Sequence, residues 1–110
     1  MDRLDDYRQY VQALLTKYVN EYSDNSSDDE LIFDPIHDRY LWMEVGWDKQ
    51  QRIYNSVVHF DIVDGKIWLQ QNLTERDPAQ DLVDIGVSPP DIVIGLHPPY
   101  KRPYTNYSIA

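Results

Sequence analysis

Asp64-Gly65, set between Ile62-Val63 and Lys66-Ile67, constrains the fold of this chain more than any other stretch. A two-residue hairpin turn needs positive φ at both central positions, and Asp-Gly is one of the few pairs that accepts it. The turn therefore predicts a register in which Val63 faces Lys66, Ile62 faces Ile67, Asp61 faces Trp68, Phe60 faces Leu69 and His59 faces Gln70. Side chains alternate across a sheet, so Val58, Phe60, Ile62, Ile67 and Leu69 share one face, the expected core. His59, Asp61, Lys66, Trp68 and Gln70 share the other.

Around this hairpin, period-two patterning with β-branched and aromatic residues predicts four strands, at 31–34, 39–47, 52–63 and 66–71. Ahead of them Leu4, Tyr7, Val11, Leu14, Leu15, Tyr18, Val19 and Tyr22 recur at three- and four-residue steps, which places them on one stripe of a helix over about 2–21. Asp2, Asp5 and Asp6 suit the positive end of its dipole. The run 23–30 is polar, acidic and without period, and reads as a solvated connector. It lacks the glycine and terminal Glu of a calcium loop. A second, short helix is expected over 74–86, with Asp77 as cap, Pro78 in the first turn, Gln80 as capping-box partner and Gly86 at the stop. Asp91-Ile92-Val93-Ile94, bounded by Pro90 and Gly95, is a candidate fifth strand.

This order predicts an α+β fold: a long N-terminal helix, a four-stranded antiparallel meander, a short second helix and an extended C-terminal segment. With 110 residues, 42% of them apolar, the expectation is one domain over the whole length. The start, Met1-Asp2-Arg3-Leu4-Asp5-Asp6, is charged where a signal peptide needs a basic start and an apolar run, and no stretch has the length of a membrane span. A soluble, cytoplasmic protein is expected.

Charge is unevenly distributed. The chain holds 19 acids and 10 bases, yet no acid lies beyond Asp91, where Lys101 and Arg102 stand. A net charge of −9 opposes broad contact with DNA phosphates, which requires cations able to displace counterions. Lys101 and Arg102 would neutralise too few phosphates, so direct nucleic-acid binding is not expected. Leu96, Tyr100, Tyr104, Tyr107 and Ile109 make 95–110 too apolar for a free tail, so Lys101 and Arg102 are expected to pair with the acidic body or with a second chain.

Catalysis has little to build on. There is no cysteine, no Gly-x-Ser-x-Gly elbow, no glycine-rich phosphate loop and no histidine pair at metal-ligand spacing among His37, His59 and His97. No catalytic, cofactor or metal residue is assigned. The alternative is an acid–base or metal group in which Glu75 and His97 join His59 and Asp61. Trp42, Met43, Trp47 and Trp68 put large apolar groups on both faces of the central strands, more than two helices can cover. His59, Asp61, Lys66, Trp68, Gln70, Lys101 and Arg102 thus form a candidate interaction face. Either a second chain, including a homo-oligomer, or the C-terminal segment closes it.

Gly46-Trp47, His59-Phe60-Asp61-Ile62, Asp64-Gly65-Lys66-Ile67-Trp68, Thr74-Glu75, Gly86-Val87, Asp91-Ile92-Val93 and the ending with Pro98-Pro99, Arg102, Thr105 and Ala110 together resemble the XisI family of cyanobacterial excision controlling factors. The resemblance runs over nearly the whole chain. It departs at Asn72-Leu73, where the family has a pattern closer to Asp-Gly, and at Pro78, where Ile is usual. What it implies is a factor required for programmed excision of a DNA element that interrupts a nitrogen-fixation gene during heterocyst differentiation. It further implies a nuclease-like partner, XisH, and a separate recombinase for the strand chemistry; no catalytic residue is carried over from the family, and a different paired role, as inhibitor or stabiliser of that partner, stays open.

Overall fold

The computed structural model describes residues 3–22 and 27–110. Helix α1 (Arg3–Tyr22) is followed by strands β1 (Ser27–Asp34), β2 (Arg39–Asp48), β3 (Gln51–Val63) and β4 (Lys66–Asn72), then helix α2 (Pro78–Ile85) and a two-residue strand β5 (Ile92–Val93). The sheet order is β1-β2-β3-β4-β5. The first four strands form the expected antiparallel meander, and β5 lies parallel to β4.

Both helices pack on one face of the sheet. On α1 the predicted stripe buries Tyr7, Val11, Leu14, Leu15 and Tyr18. They meet Tyr40 and Trp42 of β2, Val58, Phe60 and Ile62 of β3, Ile67 and Leu69 of β4, and Ala79 and Leu82 of α2 in one cluster. Burying each Leu, Ile, Val or Phe there contributes roughly 1.5–3 kcal/mol before entropy is counted. Polar tips on the helix stripe find partners at its rim. Tyr7 donates its hydroxyl to Asp91 at 2.6 Å, and Tyr18 donates to Asp81 on α2. Arg8 holds Asp38 through Nε at 2.8 Å, and Tyr40 donates to the same carboxylate at 3.0 Å. Burial, then the neighbouring Asp38 carboxylate, pushes the Tyr40 phenol up to about 12. The Arg8 guanidinium holds the Asp38 carboxyl below the usual carboxylate range.

The Asp64-Gly65 hairpin forms with φ of 51° and 78°, and Val63 pairs with Lys66, Ile62 with Ile67, Asp61 with Trp68 and Phe60 with Leu69. One predicted pair is wrong. His59 faces Gln71, because a bulge at His59/Phe60 makes Gln70 an extra residue on β4. A second irregularity between Trp42 and Met43 leaves Val57 without a direct partner on β2.

Three boundaries differ from the sequence expectation. β1 begins at Ser27, so Asp28, Asp29 and Glu30, expected in a solvated connector, lie in an edge strand. An edge tolerates such charge because one side of its ladder faces water, and Asp29 has a specific role in accepting from the Trp42 indole at 3.0 Å. Positions 23–26 of that connector, and the expected helical start at Asp2, lie outside the described residues. α2 begins at Pro78 and not at Thr74. Asn72 Oδ1 accepts from the Thr74 amide at 2.9 Å and from its hydroxyl, winding 72–76 into a turn that competes with helix. Asp77 then caps the Gln80 amide at 3.2 Å, but the Gln80 side chain donates to Asp84 at 2.9 Å, so the reciprocal half of the capping box is not made. At the other end Gly86 has φ 136°, and the Val87 amide bonds the Leu82 carbonyl at 3.0 Å, as a left-handed stop requires.

The third difference is in the C-terminal segment. Asp91 ends a 3₁₀ turn instead of starting the strand, and only Ile92–Val93 pair with β4. Beyond them the chain is not simply extended: 3₁₀ turns run from Pro99 to Tyr104, and the Ser108 amide returns to the Ile92 carbonyl at 2.8 Å.

Candidate functional site

The β1–β2 and β2–β3 registers place Ile32, Leu41, Met43, Val45, Trp47, Tyr54, His59, Asp61 and Trp68 on the face away from the helices. This outer face divides into two halves with different cover.

The half over β3 and β4 holds most of the predicted interaction residues, and the chain itself engages them. Asp61, 9% exposed, is the one buried charge among the described residues. Its Oδ1 lies 2.7 Å from His59 Nε2 and 3.6 Å from an Arg39 nitrogen, and its Oδ2 accepts from Gln70 Nε2 at 3.3 Å. A buried carboxylate needs such partners, since leaving it unpaired costs several kcal/mol. Arg39 was not foreseen from the sequence. The signal for it was the β2–β3 register, in which Arg39 stands directly opposite Asp61.

Over Trp68 lies the Arg102 guanidinium, 5.1 Å from the ring centre, and Arg102 Nε donates to the His97 carbonyl at 3.2 Å. Lys66 Nζ donates to Ser108 Oγ at 3.0 Å and to the carbonyl of Ala110. Gly95 crosses this face so closely that a Cβ there would sit 2.7 Å from Gln70 Oε1 and 3.0 Å from Trp68 Cε3. The C-terminal segment therefore covers Trp68, one of the two arrangements expected. Lys101 is left exposed at the rim of this layer.

His97 and Glu75 do not join His59 and Asp61. His97 lines a shallow pocket with Asn72, Arg76 and Asp77 at the entry to α2, and its Nδ1 is buried without a hydrogen-bond partner. Glu75 is exposed in the turn before α2. Among the described residues no group of three or more His, Asp and Glu is placed to hold a metal ion. His59 and Asp61 make an imidazole–carboxylate pair in which Asp61 Oδ1 engages His59 Nε2.

Among the described residues, none forms such a cover over the half made by β1, β2 and the far end of β3. Ile32, Trp47 and Tyr54 are 47%, 59% and 66% exposed. Arg52 lies between the two aromatic rings, 5.3 Å from Trp47 and 5.9 Å from Tyr54. No described helix is long and apolar enough to cross a membrane.

The family model described as XisI protein matches residues 1–109. The chain belongs to the XisI family. Two solved structures resemble this XisI-family chain closely. A XisI-like protein from Anabaena variabilis is 52% identical, with a TM-score of 0.92 over 98% of this chain and 100% of that one. The fdxN element excision controlling factor XisI from Anabaena variabilis is 33% identical, with a TM-score of 0.87 over 99% of this chain and 100% of that one. Nothing matches among curated proteins. In this XisI-family chain some of the residues that carry the resemblance hold the C-terminal layer: Lys66 and Trp68 receive it, and Ile92-Val93 and Arg102 deliver it.

Proposed function

We propose that this chain is a non-catalytic controlling factor that acts by binding a second protein, an XisH-type, nuclease-like partner, and that it influences excision of a DNA element through that partner. Family membership supports the controlling role. The observation that carries the binding mode is the acidic surface around α2. Glu75, Asp77 and Asp84 are exposed there, and Arg76, the base among them, is taken up by Glu21. Between α1 and α2 runs a groove of ≈340 Å³ lined by Ala13, Leu14 and the exposed Ile85 beside Lys17, Asp81 and Asp84. An apolar floor with carboxylates at its edge fits a basic partner, and complementary charge both steers the encounter and competes with nucleic acid for the same cations. The contacts at His59, Asp61, Lys66, Trp68, Gln70 and Arg102 are proposed to hold the C-terminal layer in place, with Lys101 free at its edge.

The test is co-expression with the XisH-type protein of the same genome, followed by size-exclusion chromatography. Co-elution is expected at low salt, with loss near 1 M salt, where the screening length falls to about 3 Å, and with weakening in Glu75→Lys/Asp84→Lys. Separate elution of the two proteins at low salt would remove this reading.

A further inference from the structure

We propose that the uncovered half of the outer sheet face binds a second copy of this chain, the two sheets packing face to face about a twofold axis that runs along β2. The inference is independent of the XisH-type partner, which the preceding reading places at the helices.

Both edges of the sheet are poor sites for adding a strand. β1 carries Asp28, Asp29, Glu30 and Asp34 without a single base, and β5 is two residues long with Ser108 bridged against it. Association through the sheet must then use a face, and the helices occupy the other one. On the face that remains, Ile32, Trp47 and Tyr54 are exposed and Leu41 and Val45 half-buried, while Met43 is buried. A lone exposed apolar residue means nothing; a contiguous group across three strands marks a contact.

Charge selects the occupant. Across the outer face, Asp28 and Glu30 lie on β1, Arg52 on β3, and Lys101 on the raised C-terminal layer beyond it. The face is thus negative at one side, apolar in the middle and positive at the other. A twofold axis along β2 exchanges the two sides. Neighbouring strands are about 4.8 Å apart and facing sheets about 10 Å, so β1 of one copy lies over β3 of the other. Asp28, in the row of Val45 and Tyr54, then stands beside the second copy's Arg52, one same-face step along β3. Val45, near the axis, meets its own counterpart. The C-terminal layer, which would block packing over β4, falls outside the overlap and flanks the acidic β1 edge of the other copy with Lys101. Turning the axis by 90° would set β1 over β1, acid on acid. Strand directions stay within about 30° of each other, as in aligned sheet packing.

Sedimentation equilibrium and light scattering on the full chain test this. A species of twice 13.0 kDa is expected at micromolar concentration. Arg52→Glu, and separately Asp28→Lys, should each weaken self-association about tenfold or more, and the double variant Arg52→Glu/Asp28→Lys should restore it. Both positions are exposed, so an unchanged far-UV circular dichroism spectrum, with melting temperatures compared on dilute monomer, verifies the fold of each variant. A monomer at 100 µM, or a dimer indifferent to Arg52→Glu, or a double variant no better than either single one, overturns the proposal. A monomer whose co-elution with the XisH-type protein is lost in Arg52→Glu overturns it as well and assigns the face to that partner instead.

Discussion

The two faces of the sheet are closed by different means. Against the helices, apolar side chains from α1, α2 and β2–β4 interlock in one cluster, with polar groups only at its rim. On the other side, Trp68 is closed over by a loop, through one cation over its ring and a few hydrogen bonds, while Trp47 and Tyr54 stay open. The first face carries the stability of the fold. The second is shaped by chain that can be altered without emptying the core, and a surface of that kind is where contacts with other chains can be made and lost.

That contrast can be broken most directly by truncation. Phe60→Ala, at a fully buried core position, should cost about 3–5 kcal/mol in denaturant unfolding, whereas Tyr54→Ala on the same strand should stay within about 0.5 kcal/mol. Both are measured on chain dilute enough to be monomeric, and equal losses there would mean that the outer face is as much a core as the inner one. A smaller effect is expected where the C-terminal segment crosses the sheet. Gly95→Ala places a methyl against Trp68 and Gln70, and should destabilise by about 1–3 kcal/mol through overpacking. No change in the unfolding midpoint would show that the layer yields freely. The smallest effect is at the helix rim. Arg8 depresses the Asp38 carboxyl, and a carboxylate whose folded pKa is lowered contributes stability above its unfolded value, near 4, that is lost as pH falls through the lower folded value. Urea unfolding of Arg8→Ala should therefore lose less stability between pH 5 and pH 3 than the parent does. An unchanged acid limb would assign that limb to other carboxylates, among them Asp34, which His37 also holds low.

Legibility in the sequence followed the range of the interactions. Asp64-Gly65 specified its hairpin because the backbone conformation is local, and Asp77, Pro78 and Gly86 marked α2 for the same reason. The Tyr7-to-Tyr18 stripe was readable because burial on one side imposes a period. What failed was non-local or balanced between two outcomes. The acids of β1 obscured a strand whose pairing, with β2, decides its structure. A single bulge moved Gln70 out of register, and nothing in the spacing of the strand announces it. The candidate group of His59, Asp61, Glu75 and His97 depended on a return path of the chain that prolines leave undetermined; the pair within β3 formed, and the two distant members did not join it.

The parallel pairing of β5 with β4 also sets a timetable for synthesis. β4 is complete at Asn72, but the strand that covers its free edge is not made until Ile92 and Val93. At about 5–20 residues per second, the intervening stretch takes on the order of one to four seconds. Throughout that interval the hairpin that organises the sheet presents an unpaired edge beside a bare Trp68. A nascent chain is thus at its stickiest just before it is whole, and whatever meets it then meets a surface that the finished protein keeps hidden.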